Sequence, residues 1–187
     1  MSDAITRYDT LEVLSAEHTP TACAVLRRLV DGLAFRYRWA SEGLRAEDLA
    51  FRPSEGSMNL GELLDHLRYL ARWVQLNLSA ALEGHEPVRY PDCCSALPDP
   101  TGDPQLLRTQ TLAAWGEMSD ALADAADSDL QRVVLVGGKE PSAFPIWNML
   151  NGPLADALTH VGQLNSWRRA LGNPAPSADV FRGRAPR

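Results

Sequence analysis

Pro153-Leu154-Ala155-Asp156-Ala157-Leu158-Thr159-His160-Val161-Gly162-Gln163-Leu164 is the stretch on which the fold turns. At about 100° per residue, Met149, Leu150, Leu154, Ala157, Leu158, Val161, Leu164 and Leu171 fall on one arc, the signature of a helix that buries one face. The pattern runs from about Pro145 to Leu171 and stops at Gly172 with Pro174 beyond it. Pro153 either bends this helix or marks its true start. His160 lies inside the apolar arc and Asp156 at its edge. Four residues apart, their imidazole and carboxylate point the same way. Polar groups that lean inward need partners, so the pair is either solvated, mutually hydrogen-bonded or half of a metal site that requires a third donor. His66 is the other histidine set in a strong helical pattern, Leu63-Leu64-Asp65-His66-Leu67-Arg68-Tyr69-Leu70. His18 and His85 are expected in surface loops.

Three more helical segments precede this one. The first follows Thr19-Pro20, a cap and then proline, with the stripe Ala22, Leu26, Leu29, Leu33, Tyr37, Ala40, Leu44. The second opens at Asn59-Leu60-Gly61-Glu62, which has capping-box spacing, and runs through Leu63, Leu67, Leu70, Val74, Leu78 and Ala81 to Gly84. The third starts at Asp103-Pro104 and carries Leu107, Ala114, Met118, Ala121, Leu122 and Ala125. Glu83 to Gly102, with Pro87, Pro91, Pro98 and Pro100, is too long to suit a simple hairpin of neighbouring helices. Arg132-Val133-Val134-Leu135-Val136-Gly137-Gly138-Lys139 reads as a strand entering a turn. The expectation is an all-α chain: a four-helix bundle with long crossover connections and a small β-hairpin before the last helix. The 187 residues fit a single domain, residues 1–187, with its core at about 19–173 and a mobile tail at 174–187.

A chain of this length can bury roughly 70% of the surface its unfolded form exposes, so it needs no disulfide staples. Three cysteines, two of them adjacent at Cys93-Cys94, suit a reducing cytoplasm. Cys23 belongs with the core. The vicinal pair lies in a proline-rich loop without C-x-x-C spacing, which favours a structural place over soft-metal or redox chemistry. The net charge of −6 argues against a nucleic-acid partner, because such binding rests on clustered positive charge. No apolar run approaches the ~20 residues of a membrane span, and the first residues lack a basic region followed by an apolar one. A cytoplasmic protein without membrane or nucleic-acid attachment is the expectation.

These residues resemble the DinB/YfiT-like metalloenzyme family, four-helix bundles with a metal-binding histidine on the second helix and two further ligands on the last. The family's last-helix pattern is a histidine, three residues, and a histidine leading into Arg-Gly-Gln. Here the matching run is Asp156-Ala157-Leu158-Thr159-His160-Val161-Gly162-Gln163, followed by Arg168, Arg169 and Leu171-Gly172-Asn173-Pro174. His66 in Gly61-Glu62-Leu63-Leu64-Asp65-His66-Leu67 matches the helix-two position, and Phe51-Arg52-Pro53 ahead of it is also similar. The likeness extends from the first helix to Pro174. Two departures stand out: Asp156 replaces a histidine, and Val161 replaces the arginine after the final ligand.

The resemblance implies a metal site of His66, Asp156 and His160. Aspartate is a competent donor, so the set becomes two histidines and one carboxylate, suited to zinc, nickel, iron or manganese. Three protein ligands leave open positions for water or substrate, whereas structural zinc takes four. A divalent ion there can lower the pKa of bound water from ~15.7 toward ~7 or hold a thiol as thiolate. The family accordingly contains hydrolases and transferases that use low-molecular-weight thiols. Gln163, one turn from His160, is either a group that orients that ligand or a solvent-facing amide. Trp73 either walls the pocket or lies in the core. Arg168 and Arg169 suit the negative end of the last helix. The competing reading is a non-catalytic bundle that has lost the family's activity and uses its cavity for a small molecule, or its surface to form a homodimer.

Overall fold

The computed structural model describes residues 2–12, 20–136 and 142–187. The expected turn at Gly137-Gly138-Lys139, the Thr19 cap and His18 lie outside them. Four long helices, α2 (Ala22–Ala40), α3 (Leu60–Glu83), α4 (Pro104–Asp124) and α5 (Pro153–Ala170), follow a short α1 (Ser2–Thr6). Strands β1 (Val133–Val136) and β2 (Ser142–Pro145) pair antiparallel, with Val133 opposite Pro145 and Val134 opposite Phe144.

Local chemistry explains most helix ends. Asn59 Oδ1 accepts from the Glu62 amide at 2.8 Å, and Glu62 Oε2 accepts from the Asn59 amide at 2.6 Å. That reciprocal cap starts α3 where its spacing predicts. Gly84, with φ of 75°, ends it in the left-handed conformation that glycine adopts without strain. Asp103 caps the amides of Gln105 and Leu106, and Pro104 occupies the first position of α4. In α2 the capping side chain is Thr21, which accepts from Ala24 N at 3.1 Å. Asp127, on the single-turn 3₁₀ segment Asp127–Gln131, takes the amides of Ala22 and Cys23.

The last helix starts later than the apolar arc suggests. Residues 142–150 form β2 and a 3₁₀ turn, Ile146–Leu150, and α5 begins at Pro153. Ile146 N donates to Arg132 O at 2.9 Å, which fastens this segment to the base of the hairpin. Proline lacks an amide hydrogen and belongs in a first turn, so Pro153 is the start of the helix and not a kink. Met149 is buried from the 3₁₀ turn, whereas Leu150 is exposed.

α2 and α3 each pack against both α4 and α5, so α2/α3 and α4/α5 occupy the diagonals of the bundle. The chain crosses those diagonals through residues 41–59 and 125–152. The long 84–103 connection joins neighbours, contrary to the expectation from its length. Its residues serve to cover α3: Asn77 Oδ1 accepts from Val88 N at 3.1 Å, and both Asn77 Nδ2 and Trp73 Nε1 donate to Val88 O. The core between the helices holds Trp115, Phe35, Tyr37, Leu33, Leu64 and Leu112, all fully buried. Cys23, Cys93 and Cys94 are buried free thiols.

Residues 174–187 contain an antiparallel bridge between Asp179 and Arg184. Leu11 N donates to Gly183 O at 2.8 Å. Gly183 has φ of 60°, and any side chain there would run into Leu11.

Asp48, 4% exposed, ties the 3₁₀ turn Ala46–Ala50 to the end of α5. It accepts from Arg45 Nη2 at 2.6 Å and from Asn173 Nδ2 at 2.7 Å. The Arg45 hydrogen bond, reinforced by Asn173, holds its carboxyl below the ordinary 3.8, at about 2. A carboxylate with a depressed folded-state pKa contributes stability above its unfolded value and loses it as pH falls through the folded one. Acid titration of wild type is therefore expected to show a loss of stability between about pH 4 and pH 2 that is smaller in Asp48→Asn. Equal slopes in the two proteins would contradict it.

Candidate metal centre

His66 sits in the second turn of α3, and Asp156 and His160 lie one turn apart near the start of α5. Because α3 and α5 are neighbours, the three side chains converge. His66 Nε2 is 3.1 Å from Asp156 Oδ2, and His160 Nε2 is 3.4 Å from Asp156 Oδ1. The imidazole rings stand edge to face, with centroids 4.7 Å apart and planes at 85°. One donor atom from each residue lies within 4.8 Å of the other two.

Ligands about 2.0–2.1 Å from a tetrahedral zinc ion lie about 3.3–3.4 Å from one another; the two nitrogen–oxygen distances here are near that value but run to different oxygens of Asp156, and one donor atom from each residue brings the three within 4.8 Å. Asp156 is in the first turn of α5, where the positive end of the helix dipole favours its negative charge. The His160 side chain is 12% exposed and that of Asp156 is 45% exposed, so the group has one walled side and one open side.

Each histidine is steadied through its second nitrogen. His160 Nδ1 donates to Gln163 Oε1 at 2.8 Å, and in the neutral ring this puts the lone pair on Nε2, the nitrogen that faces Asp156. Gln163 is thus hydrogen-bonded to the ring of His160. His66 Nδ1 meets the Tyr90 hydroxyl at 3.2 Å. Burial, with smaller contributions from Cys93, Asp65 and Cys94, pushes the Tyr90 phenol up to about 12. It therefore stays protonated at neutral pH and can either donate to His66 or accept from it.

Tyr90 is the residue that the sequence reading missed. It belongs to the single-turn 3₁₀ segment Tyr90–Asp92 in the proline-rich connection, where no helical period assigns a side chain a direction. Trp73 is buried and lies with its ring centroid 6.1 Å from that of Tyr90. It supports Tyr90 and anchors Val88, and no hydrogen bond or ring contact links it to the three donors. Val161, in the place of the family arginine, is 2% exposed and packs in the core. His85 is on the surface beside Glu83. Arg168 and Arg169 are in the last turn of α5, and Arg168 is wholly buried there.

A cleft of about 740 Å³ runs beside the N-terminal half of α3, bordered by Asp65, Tyr69 and Cys94 among others. None of His66, Asp156 and His160 is in its wall. Among the described residues no helix is long and apolar enough to cross a membrane. No curated protein and no solved structure matches the chain. The DinB superfamily matches residues 33–164, a span that reaches from α2 to α5 and includes every member of the His/Asp/His group. The chain belongs to the DinB superfamily.

Proposed function

We propose that this protein is a divalent-metal-dependent enzyme of small-molecule metabolism, a hydrolase or a transferase that uses a low-molecular-weight thiol. His66, Asp156 and His160 would hold the ion. The observation that carries the reading is the meeting of three donor atoms from two separate helices within 4.8 Å. A bound divalent ion of the zinc, nickel, iron or manganese class supplies a Lewis acid that activates water or a thiol at neutral pH. The protein's own contribution is orientation. Gln163 fixes the ring of His160, Tyr90 meets that of His66, and the exposed side of Asp156 leaves an approach for a reactant. Three unpaired cysteines support a reducing compartment such as the cytoplasm.

A ligand that binds only the folded state stabilises it by RT ln(1 + [L]/Kd), about 2.7 kcal/mol at a hundredfold excess over Kd. For a domain of this size that corresponds to a rise in Tm of about 5–10 °C. Untagged protein stripped with chelator and then given zinc, nickel or manganese is expected to show this rise with at least one of them. An unchanged Tm with all three would refute the metal reading and favour a non-catalytic bundle. Product formation from ester and electrophile panels, with and without an added thiol, then separates hydrolase from transferase.

A further inference from the structure

Most arginines of the four long helices have a carboxylate partner. Arg27, Arg38, Arg68, Arg72 and Arg108 all do, and buried Arg168 serves carbonyls instead. Arg28, Arg36 and Arg169 have none among the described residues. All three lie along a groove between the neighbouring helices α2 and α5. In a chain with 24 acidic and 18 basic residues, a face on which only guanidiniums are left unpaired reverses the overall charge locally.

The groove has two parts that share Arg36. The first, of about 420 Å³, has an apolar wall of Leu29, Leu33 and Leu158 beside Gly32, and is bordered by Arg28 and Arg36, about 12 Å apart along α2. The second, of about 220 Å³, is lined by Arg36, Arg169, Asn165 and Trp39 among others. Trp39 Nε1 is a buried donor with no hydrogen-bond partner among the described residues. No carboxylate is in the wall of either part. Carboxylates do border the adjoining recesses, but Asp31 is paired with Arg27 at 3.8 Å and Asp179 with Arg182 at 3.1 Å. Exposed Glu12 shares a recess with Arg28, not with Arg36 or Arg169. Leu158 is two residues from both Asp156 and His160, about 200° around α5 from each, so the groove opens away from the proposed metal ligands.

We propose that the α2/α5 groove is a binding site for a soluble amphipathic anion, a medium-chain carboxylate, with its head held by Arg36 and Arg169 and its hydrocarbon tail laid over Leu29, Gly32, Leu33 and Leu158. Guanidiniums supply charge-assisted donors in the fork geometry that suits a carboxylate. Asn165 and Trp39 add neutral donors to the same recess. The first part of the groove has the volume of a small-molecule site, within about 300–1,000 Å³, and its apolar wall removes a hydrocarbon tail from water. Gly32 keeps that wall open: a Cβ there would come within 3.4 Å of Arg36 Nη1, and a larger side chain would fill the space beside it.

The test is calorimetric titration of the full chain, stripped of metal, with three probes. Decanoate has both parts of the ligand, decylammonium keeps the tail and reverses the head, and butyrate keeps the head and shortens the tail. One decanoate per chain is expected, bound roughly tenfold or more tighter than either of the others. Arg36→Ala and Arg169→Ala should each weaken decanoate about tenfold. Gly32→Leu should block it, and leucine is the better helix former of the two. Equal affinity for decanoate and decylammonium, many decanoates per chain, or wild-type affinity in both Arg36→Ala and Gly32→Leu would overturn the proposal. So would a ligand-free dimer that dissociates in Gly32→Leu, which would give the groove to a second copy of the chain. The comparison of the three probes on wild type decides the matter even if a variant fails to fold.

Discussion

Replacing His160 by alanine is expected to abolish stoichiometric metal binding, while the metal-free variant melts within a few degrees of the metal-free wild type. His160 supplies the donor nearest the bundle interior, with a side chain 12% exposed. Its removal leaves His66 and Asp156, and two ligands hold a divalent ion far less well than three. Most of the surrounding core, including Leu154, Ala157, Val161 and Leu164, is on other positions of α5, so the fold does not depend on the imidazole. The effect should be graded outward from the donors. Gln163→Ala keeps all three but frees the ring of His160, and Tyr90→Phe takes away the hydroxyl that meets His66 Nδ1. Losses of this kind cost about 10–100-fold in metal affinity. Elemental mass spectrometry of untagged protein, with calorimetric titration of each variant, measures the series. Equal substoichiometric metal in wild type and His160→Ala would show that the three side chains are only a hydrogen-bonded cluster.

The parts of this molecule that were legible in its sequence are those whose cause is local. Asn59 and Glu62 cap each other across three residues, and Asp103-Pro104 needs only its own helix, so both starts were placed correctly. The i, i+4 spacing of Asp156 and His160 is likewise a property of one helix. That His66 would meet them came from the family likeness, because periodicity does not say which helices adjoin. Tertiary causes account for the misreadings. The segment from Pro145 to Leu150 is included in the helical pattern, yet the pairing of β2 with β1 and the Ile146–Arg132 hydrogen bond hold it outside α5. The length of the 84–103 connection suggested a crossover, but Asn77 and Trp73 bind it down onto α3 through Val88. That docking brings Tyr90 to His66, and nothing within Val88-Arg89-Tyr90-Pro91 signals it.

The role of Arg168 goes well beyond a charge at the helix end, and Arg168→Ala is expected to destabilise the protein by about 3–5 kcal/mol, at about 1–3 for each buried carbonyl left without its donor, or roughly 10 °C in Tm for a chain of this size. A cation in the last turn of a helix ordinarily gains a few tenths of a kcal/mol from the helix dipole. Here the guanidinium is fully buried and joins two helix ends. Its Nη1 donates to the carbonyls of Ala40 and Glu42 at 2.7 and 2.6 Å, satisfying the C-terminus of α2. Its Nε donates to the Asn173 carbonyl at 2.8 Å, and Nη2 donates to Asn173 Oδ1 at 3.2 Å. Asn173 in turn reaches Gly43 O and Asp48, so one side chain organises the corner where α2, the Ala46–Ala50 turn and α5 meet. Truncation would leave buried carbonyls without donors. Lysine should rescue little of the loss, because one ammonium cannot reproduce a planar fork that serves four acceptors in different directions. The neighbouring Arg169 is exposed, and Arg169→Ala should stay within about 0.5 kcal/mol of wild type. Thermal denaturation of the three variants separates the two accounts: equal, small shifts for Arg168→Ala and Arg169→Ala would mean that both residues act only through the helix dipole, and the buried corner would then contribute nothing measurable.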